Sequence, residues 1–167
     1  MSKAALAVLA VGLMAATVID IKSRRIPNEL TASMVVLGMV LALSGASGLS
    51  GVGSILGICF GLLLMMPGYT LGATGAGDVK LMAAVGAIVG PALVLSAFIF
   101  TAIAGGALAL LVAIRRKRLG ATLTGTGRLM AAPASASQEI RAASSARRFA
   151  YGPAIAIGSM LAVLTSW

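Results

Sequence analysis

From Ala4 to Ile19 the chain runs sixteen residues without a charged side chain, and comparable apolar runs recur along the sequence. That recurrence is the strongest constraint on the fold. A segment entering lipid must satisfy its own backbone N–H and C=O groups, which a helix does within itself. The sequence is 59% hydrophobic and only 10% charged, far outside the soluble globular range, so an all-α polytopic membrane protein is expected. Its 21 glycines point to helices packed closely through small residues.

The first run ends at Asp20 and the basic cluster Lys22, Arg24 and Arg25. A signal peptide competes here, because Met14-Ala15-Ala16 resembles a small-residue cleavage region, but the positive charge follows the run instead of preceding it. Ile26-Pro27 interrupts the helix, and a second span is expected from about Leu30 to Leu43. The turn-rich Ser44 to Gly51 segment leads to a third span, Val52 to Met66, which Pro67 and Gly68 should end. In it Gly53, Gly57 and Gly61 recur every four residues, a face that lets a neighbouring backbone approach. Val79 to Gly90 extends only about 18 Å as a helix, against a bilayer core of about 30 Å. It must be short or tilted and shielded by its neighbours, or continue beyond Gly90. Pro91 to Ile114 is a further span, stopped by Arg115, Arg116, Lys117 and Arg118. Residues 115–150 read as a basic cytoplasmic loop, with an interfacial helix on anionic lipid as one form it could take. A last span starts at about Gly152 and runs to Trp167.

Six spans with the N-terminus outside put twelve of the thirteen basic residues on the cytoplasmic side, leaving Lys3 outside. Merging the segments around Pro91 into one span would misplace a basic group. The expected protein is therefore one membrane-embedded domain over residues 1–167, multi-pass in the inner (cytoplasmic) membrane. The net charge of +9 belongs to this topology and not to a nucleic-acid partner.

With no histidine and a single cysteine, Cys59, the sequence has no Ser-His or Cys-His catalysis, no internal disulfide and no zinc cage of the usual ligands. No cofactor or metal is expected. Four acidic residues occur, Asp20, Glu29, Asp78 and Glu139, and two of them sit at the edges of apolar runs. Ionisable groups there are costly and mark functional sites. The topology brings Asp20, at the end of the first span, and Asp78, at the start of the fourth, to the same side and depth. Two carboxylates so placed can share one proton, one acting as general base on water and the other as general acid. Interfacial salt bridges from Asp20 to Lys22 or Arg24, and from Asp78 to Lys80, are the alternative.

Asp20 followed by Arg25-Ile26-Pro27-Asn28, then Gly75-Ala76-Gly77-Asp78-Val79-Lys80-Leu81, then Tyr151-Gly152-Pro153-Ala154 opening the last span, resemble one family over nearly the whole chain. It is the type IV prepilin peptidases, the A24 membrane aspartic peptidases with GxGD architecture, and within them the short CpaA/TadV-like forms of Flp/Tad pilus systems. The resemblance implies a catalytic pair Asp20 and Asp78, with Asn28, Gly75, Gly77 and Lys80 supporting the site or the substrate. It implies cleavage of the leader from prepilins or pseudopilins at the cytoplasmic face. Its partners would be a prepilin with its hydrophobic helix, the lipid bilayer and the pilus-assembly machinery. Larger relatives carry paired Cys-x-x-Cys motifs for methylation; only Cys59 is present here, so no methyltransferase activity is expected.

Two other readings carry different predictions. A presenilin-like intramembrane protease also uses Gly-x-Gly-Asp, and Pro91-Ala92-Leu93 mimics its Pro-Ala-Leu motif, but that tripeptide follows Asp78 too closely and Ile19, not tyrosine, precedes Asp20. A small transporter would use Asp20 and Asp78 as proton sites, and such sites belong near the bilayer midplane instead of its edge.

Overall fold

The computed structural model describes residues 1–115 and 151–166, and these form five helices. In order they are α1 (Lys3–Ser23), α2 (Asn28–Leu43), α3 (Gly51–Thr70), α4 (Ala76–Arg115) and α5 (Gly152–Leu164). Local chemistry sets their ends. The Ser2 hydroxyl accepts from the Ala5 N–H at the start of α1, and Ser50 accepts from Gly53 at the start of α3, the usual service of a serine N-cap. α1 ends as Arg24 turns left-handed, with φ 52°, and donates its N–H to the Asp20 carbonyl. Asp20 thus lies inside the last turn of α1 instead of after it.

Helix α3 runs through Pro67, which the sequence reading placed at its end. Pro67 stands one turn from the C-terminus, so it forfeits only its own N–H bond. Its carbonyl still accepts from Leu71, and the left-handed Gly72, φ 77°, then turns the chain.

Helix α4 is broken at Gly90, whose φ of 84° and ψ of 176° lie outside helical geometry, immediately before Pro91. The break reverses the chain. In the first arm, Gly86 lies against Gly57 and Met82 against Gly61, so this arm runs antiparallel to α3. Gly38 packs on Ala87 and Ile88, while Asn28 bonds to Lys80, so it runs parallel to α2. Gly90 itself lies beside Leu49, at the far end. Yet Gly105 in the second arm lies beside Tyr151, whose neighbour Gly152 bonds to Asp20 at the near end. The second arm therefore returns to the level at which the first began.

The first arm is the centre of the molecule. Every residue from Leu81 to Gly90 is buried, the shielding that so short an apolar segment was expected to need. Two of the three stripe glycines explain how α3 approaches it. A Cβ on Gly57 would collide with the Gly86 carbonyl, and one on Gly61 would lie 2.5 Å from the Met82 oxygen. Gly53 has a different role, facing Leu49 in its own turn. At the break, Pro91 has no N–H to give the Ala87 carbonyl four residues earlier. The buried Ser54 hydroxyl of α3 donates to that carbonyl at 2.7 Å. One side chain thereby satisfies the acceptor that the proline leaves open.

Outside this centre the molecule is apolar. Val11, Met14, Val18, Leu43, Val52, Leu63 and Ile103 are each more than half exposed, a surface suited to lipid instead of water. Lys3–Ser23, Gly51–Thr70 and the kinked Ala76–Leu111 stretch are long and apolar enough to cross a membrane; α2 and α5 are apolar but shorter. The basic 116–150 segment, with the interfacial helix considered for it, and Trp167 lie outside the described residues.

Candidate active site

The end of the bundle where α1 finishes and α2, α4 and α5 begin gathers Asp20, Asn28, Gly75, Gly77, Asp78 and Lys80. Asp20 is 5% exposed and Asp78 is 8% exposed. They come from helices 58 residues apart in sequence and lie within electrostatic reach of each other.

Each carboxylate is held by backbone. Asp78 is the third residue of α4, and its Oδ2 accepts the Gly75 N–H at 2.9 Å. This is the acidic half of a capping box, favoured further by the positive end of the helix dipole. Gly75 fits because a Cβ would stand 3.3 Å from Oδ2; at Gly77 a Cβ would stand 3.2 Å from Ile26. The two glycines of the Gly-Ala-Gly-Asp sequence thus bring a carboxylate onto its own helix start and the α1–α2 turn onto that helix. Asp20 is held by a residue far away in sequence. Its Oδ2 accepts the Gly152 N–H, at the start of α5, at 2.8 Å.

Lys80 and Asn28 are joined directly, the ammonium donating to the Asn28 Oδ1 at 2.8 Å. Both are exposed, so they fasten α2 to the start of α4 at the rim and not beneath the carboxylates. None of the described basic residues forms an ion pair with either aspartate; each carboxylate's partner among the described residues is an amide. Neither Oδ1 accepts a hydrogen bond from a described residue.

Tyr151 adds a phenol to this group. It precedes α5, packs its ring on Gly105 where a Cβ would come within 2.6 Å, and feels the Asp78 charge. Burial first, and that negative charge second, push its ionisation above the usual value of 10.0, so at neutral pH it is a neutral hydroxyl. Among the described residues no three His, Cys, Asp or Glu side chains come together.

The sequence assigned no role to Gly152 or Tyr151. The signal was present in Tyr151-Gly152-Pro153 at the opening of an apolar run, but nothing in the order of residues says which distant carboxylate that amide meets. Arg25-Ile26-Pro27-Asn28 becomes intelligible in the same way, because Ile26 covers Gly77 and Asn28 takes Lys80.

No curated protein and no solved structure matches the chain. A family model does match, over residues 7–110, which is more than half of the sequence and includes both aspartates and the break at Gly90. The chain belongs to the type IV leader peptidase family.

Proposed function

We propose that the chain is a membrane aspartic endopeptidase that removes the leader from type IV prepilins or pseudopilins of the Flp/Tad kind, with Asp20 and Asp78 as its catalytic pair. The observation that carries this reading is the meeting of two buried carboxylates at one end of the bundle, each fixed through Oδ2 to a backbone amide. In this reading the two carboxylates, buried and within electrostatic reach of each other, share a proton. The ionised one takes a proton from water as its oxygen attacks the scissile carbonyl carbon. The protonated one gives its proton to the carbonyl oxygen, and collapse of the tetrahedral intermediate delivers a proton to the departing amine. This sequence of steps uses no histidine, in keeping with a chain that has none.

The six alternating helical segments, counting the two arms of α4, are six spans in this reading, with α2, α5 and the first arm held short among longer neighbours. The N-terminus is outside, and the carboxylates face the cytoplasm with Lys22, Arg24, Arg25 and Lys80 around them, as the positive-inside rule requires. The substrate enters as a prepilin whose hydrophobic helix stays in the bilayer while its leader reaches the carboxylates. Lys80 and Asn28 hold the rim, and the protein works beside the pilus-assembly machinery of the inner membrane.

Co-expression with an Flp-type prepilin tests this. Leader removal, followed by gel mobility and N-terminal mass, is expected with the wild type and abolished by Asp20→Asn and by Asp78→Asn at equal membrane expression. Cleavage that persists in either variant refutes the paired mechanism. Ion-coupled flux lost in both variants, without any peptide cleavage by the wild type, would favour the transporter.

A further inference from the structure

The family match ends at residue 110, and α5 lies beyond it. We infer that the entry of α5 is nevertheless part of the working site: Gly152 is a positioning residue whose N–H orients Asp20 and whose missing side chain admits that carboxylate. The inference rests on the peptidase reading, in which Asp20 is catalytic.

The two aspartates differ in how they are held. The Asp78 carboxylate is fixed by an amide three residues away, in a cap that α4 forms by itself. The Asp20 carboxylate depends on an amide 132 residues away, so its orientation exists only when α5 is docked. Gly152 is the first residue of α5, where a helix leaves its N–H without an internal partner. Asp20 occupies that place, and the bond is buried. Space is equally restrictive. A Cβ on Gly152 would stand 2.8 Å from the Asp20 Oδ2, closer than real Cβ atoms approach, and 3.1 Å from its Cβ, a tight contact. Tyr151, just before, locks the entry laterally by packing on Gly105. Farther along, Gly158 lets α5 lie directly on Thr101 of the second arm of α4. The helix is thus seated by Tyr151 at its entry and by Gly158 farther along, while its first amide reaches the carboxylate itself.

Gly152→Ala in the full-length protein, reconstituted with an Flp-type prepilin that retains its hydrophobic helix, tests this. Displacing a reacting group by about 1 Å costs on the order of 100-fold in rate, so kcat should fall by about that factor, with KM unchanged if Gly152 acts only by orienting Asp20. Gly106→Ala, where a Cβ meets nothing within 4 Å, should leave both constants as in the wild type. A folded Gly152→Ala protein with wild-type kcat, or one altered in KM alone, overturns the inference. A double-mutant cycle with Asp20→Ala, read as thermal midpoint, tests the contact without any substrate. The midpoint lost on Gly152→Ala should be largely recovered once the Asp20 carboxylate is removed, and additive effects overturn the inference. If Gly152→Ala alone does not fold, Asp20→Ala/Gly152→Ala must; continued misfolding overturns it as well. A wild type that cleaves no prepilin would count against the peptidase reading, and the cycle would still decide the contact.

Discussion

Ser54→Ala removes one hydroxyl from the contact between α3 and the first arm of α4. Ser54 is fully buried, and its hydroxyl donates to the Ala87 carbonyl at 2.7 Å. In an unbroken helix that carbonyl would accept from residue 91, which is proline. With Ser54 gone the carbonyl is left buried and unpaired. The loss is then the full desolvation of the acceptor, about 1–3 kcal/mol, and not merely the net value of an ordinary hydrogen bond, about 1 kcal/mol. The vacated space is a single oxygen atom's, so the cavity adds little. Unfolding in mixed micelles by titrated denaturing detergent measures the difference. Ser33→Ala is the reference: Ser33 is exposed, and its hydroxyl bonds to the Leu30 carbonyl, which its own helix already serves. That variant should stay within about 0.5 kcal/mol of the wild type. If Ser54→Ala is no more destabilised than Ser33→Ala, the idea that this hydroxyl replaces the missing proline N–H is wrong.

Other substitutions test neighbouring parts of the argument. Gly57→Ala should destabilise by at least about 1–3 kcal/mol, because its Cβ would meet the Gly86 carbonyl, a backbone group that cannot swing aside; the same micelle titration reads it. Lys80→Met breaks a bond between two exposed side chains and should cost less than about 1 kcal/mol of stability, so a larger fall in cleavage rate than in folded fraction would place the lysine in substrate handling. Tyr151 has its ionisation raised in the folded protein, so its contribution is intact below the unfolded tyrosine value of about 10 and is lost as pH rises through the folded value. Tyr151→Phe should therefore flatten the decline of thermal midpoint above about pH 10, and an unchanged decline would contradict the burial of the phenol.

Much of the arrangement was legible because lipid leaves a sequence few choices. The glycines at 53, 57 and 61 announced close backbone approach, and the structure brings Gly57 and Gly61, but not Gly53, onto the first arm of α4. Pro91 marked a break, and the chain reverses beside it. Pro67 carried the same signal with a different outcome, since a proline in the last turn of a helix has little left to disrupt. Length was less informative than position. The first arm of α4 is too short to face lipid alone, and only its neighbours show that it need not. Placement of Asp20 and Asp78 at the same end followed from counting apolar runs. Their partners did not, because both are amides, and a backbone N–H has no signature in composition beyond the glycine that exposes it.

That reliance on amides explains which small residues surround the carboxylates. A side-chain donor such as lysine or arginine would bring a positive charge beside each acid and stabilise its ionised form, which works against one proton being shared by two carboxylates. A neutral N–H fixes the orientation of a carboxylate while adding only a partial charge. It must come close, however: the amides stand 2.9 Å from Asp78 and 2.8 Å from Asp20, and a Cβ would crowd the carboxylate at 3.3 Å on Gly75 and at 2.8 Å on Gly152. Lys80 is present but is turned to Asn28 at the rim. Glycine at these two positions and the diversion of Lys80 therefore belong to one arrangement, in which each carboxylate is oriented by an amide and not by an ion pair with a described basic residue.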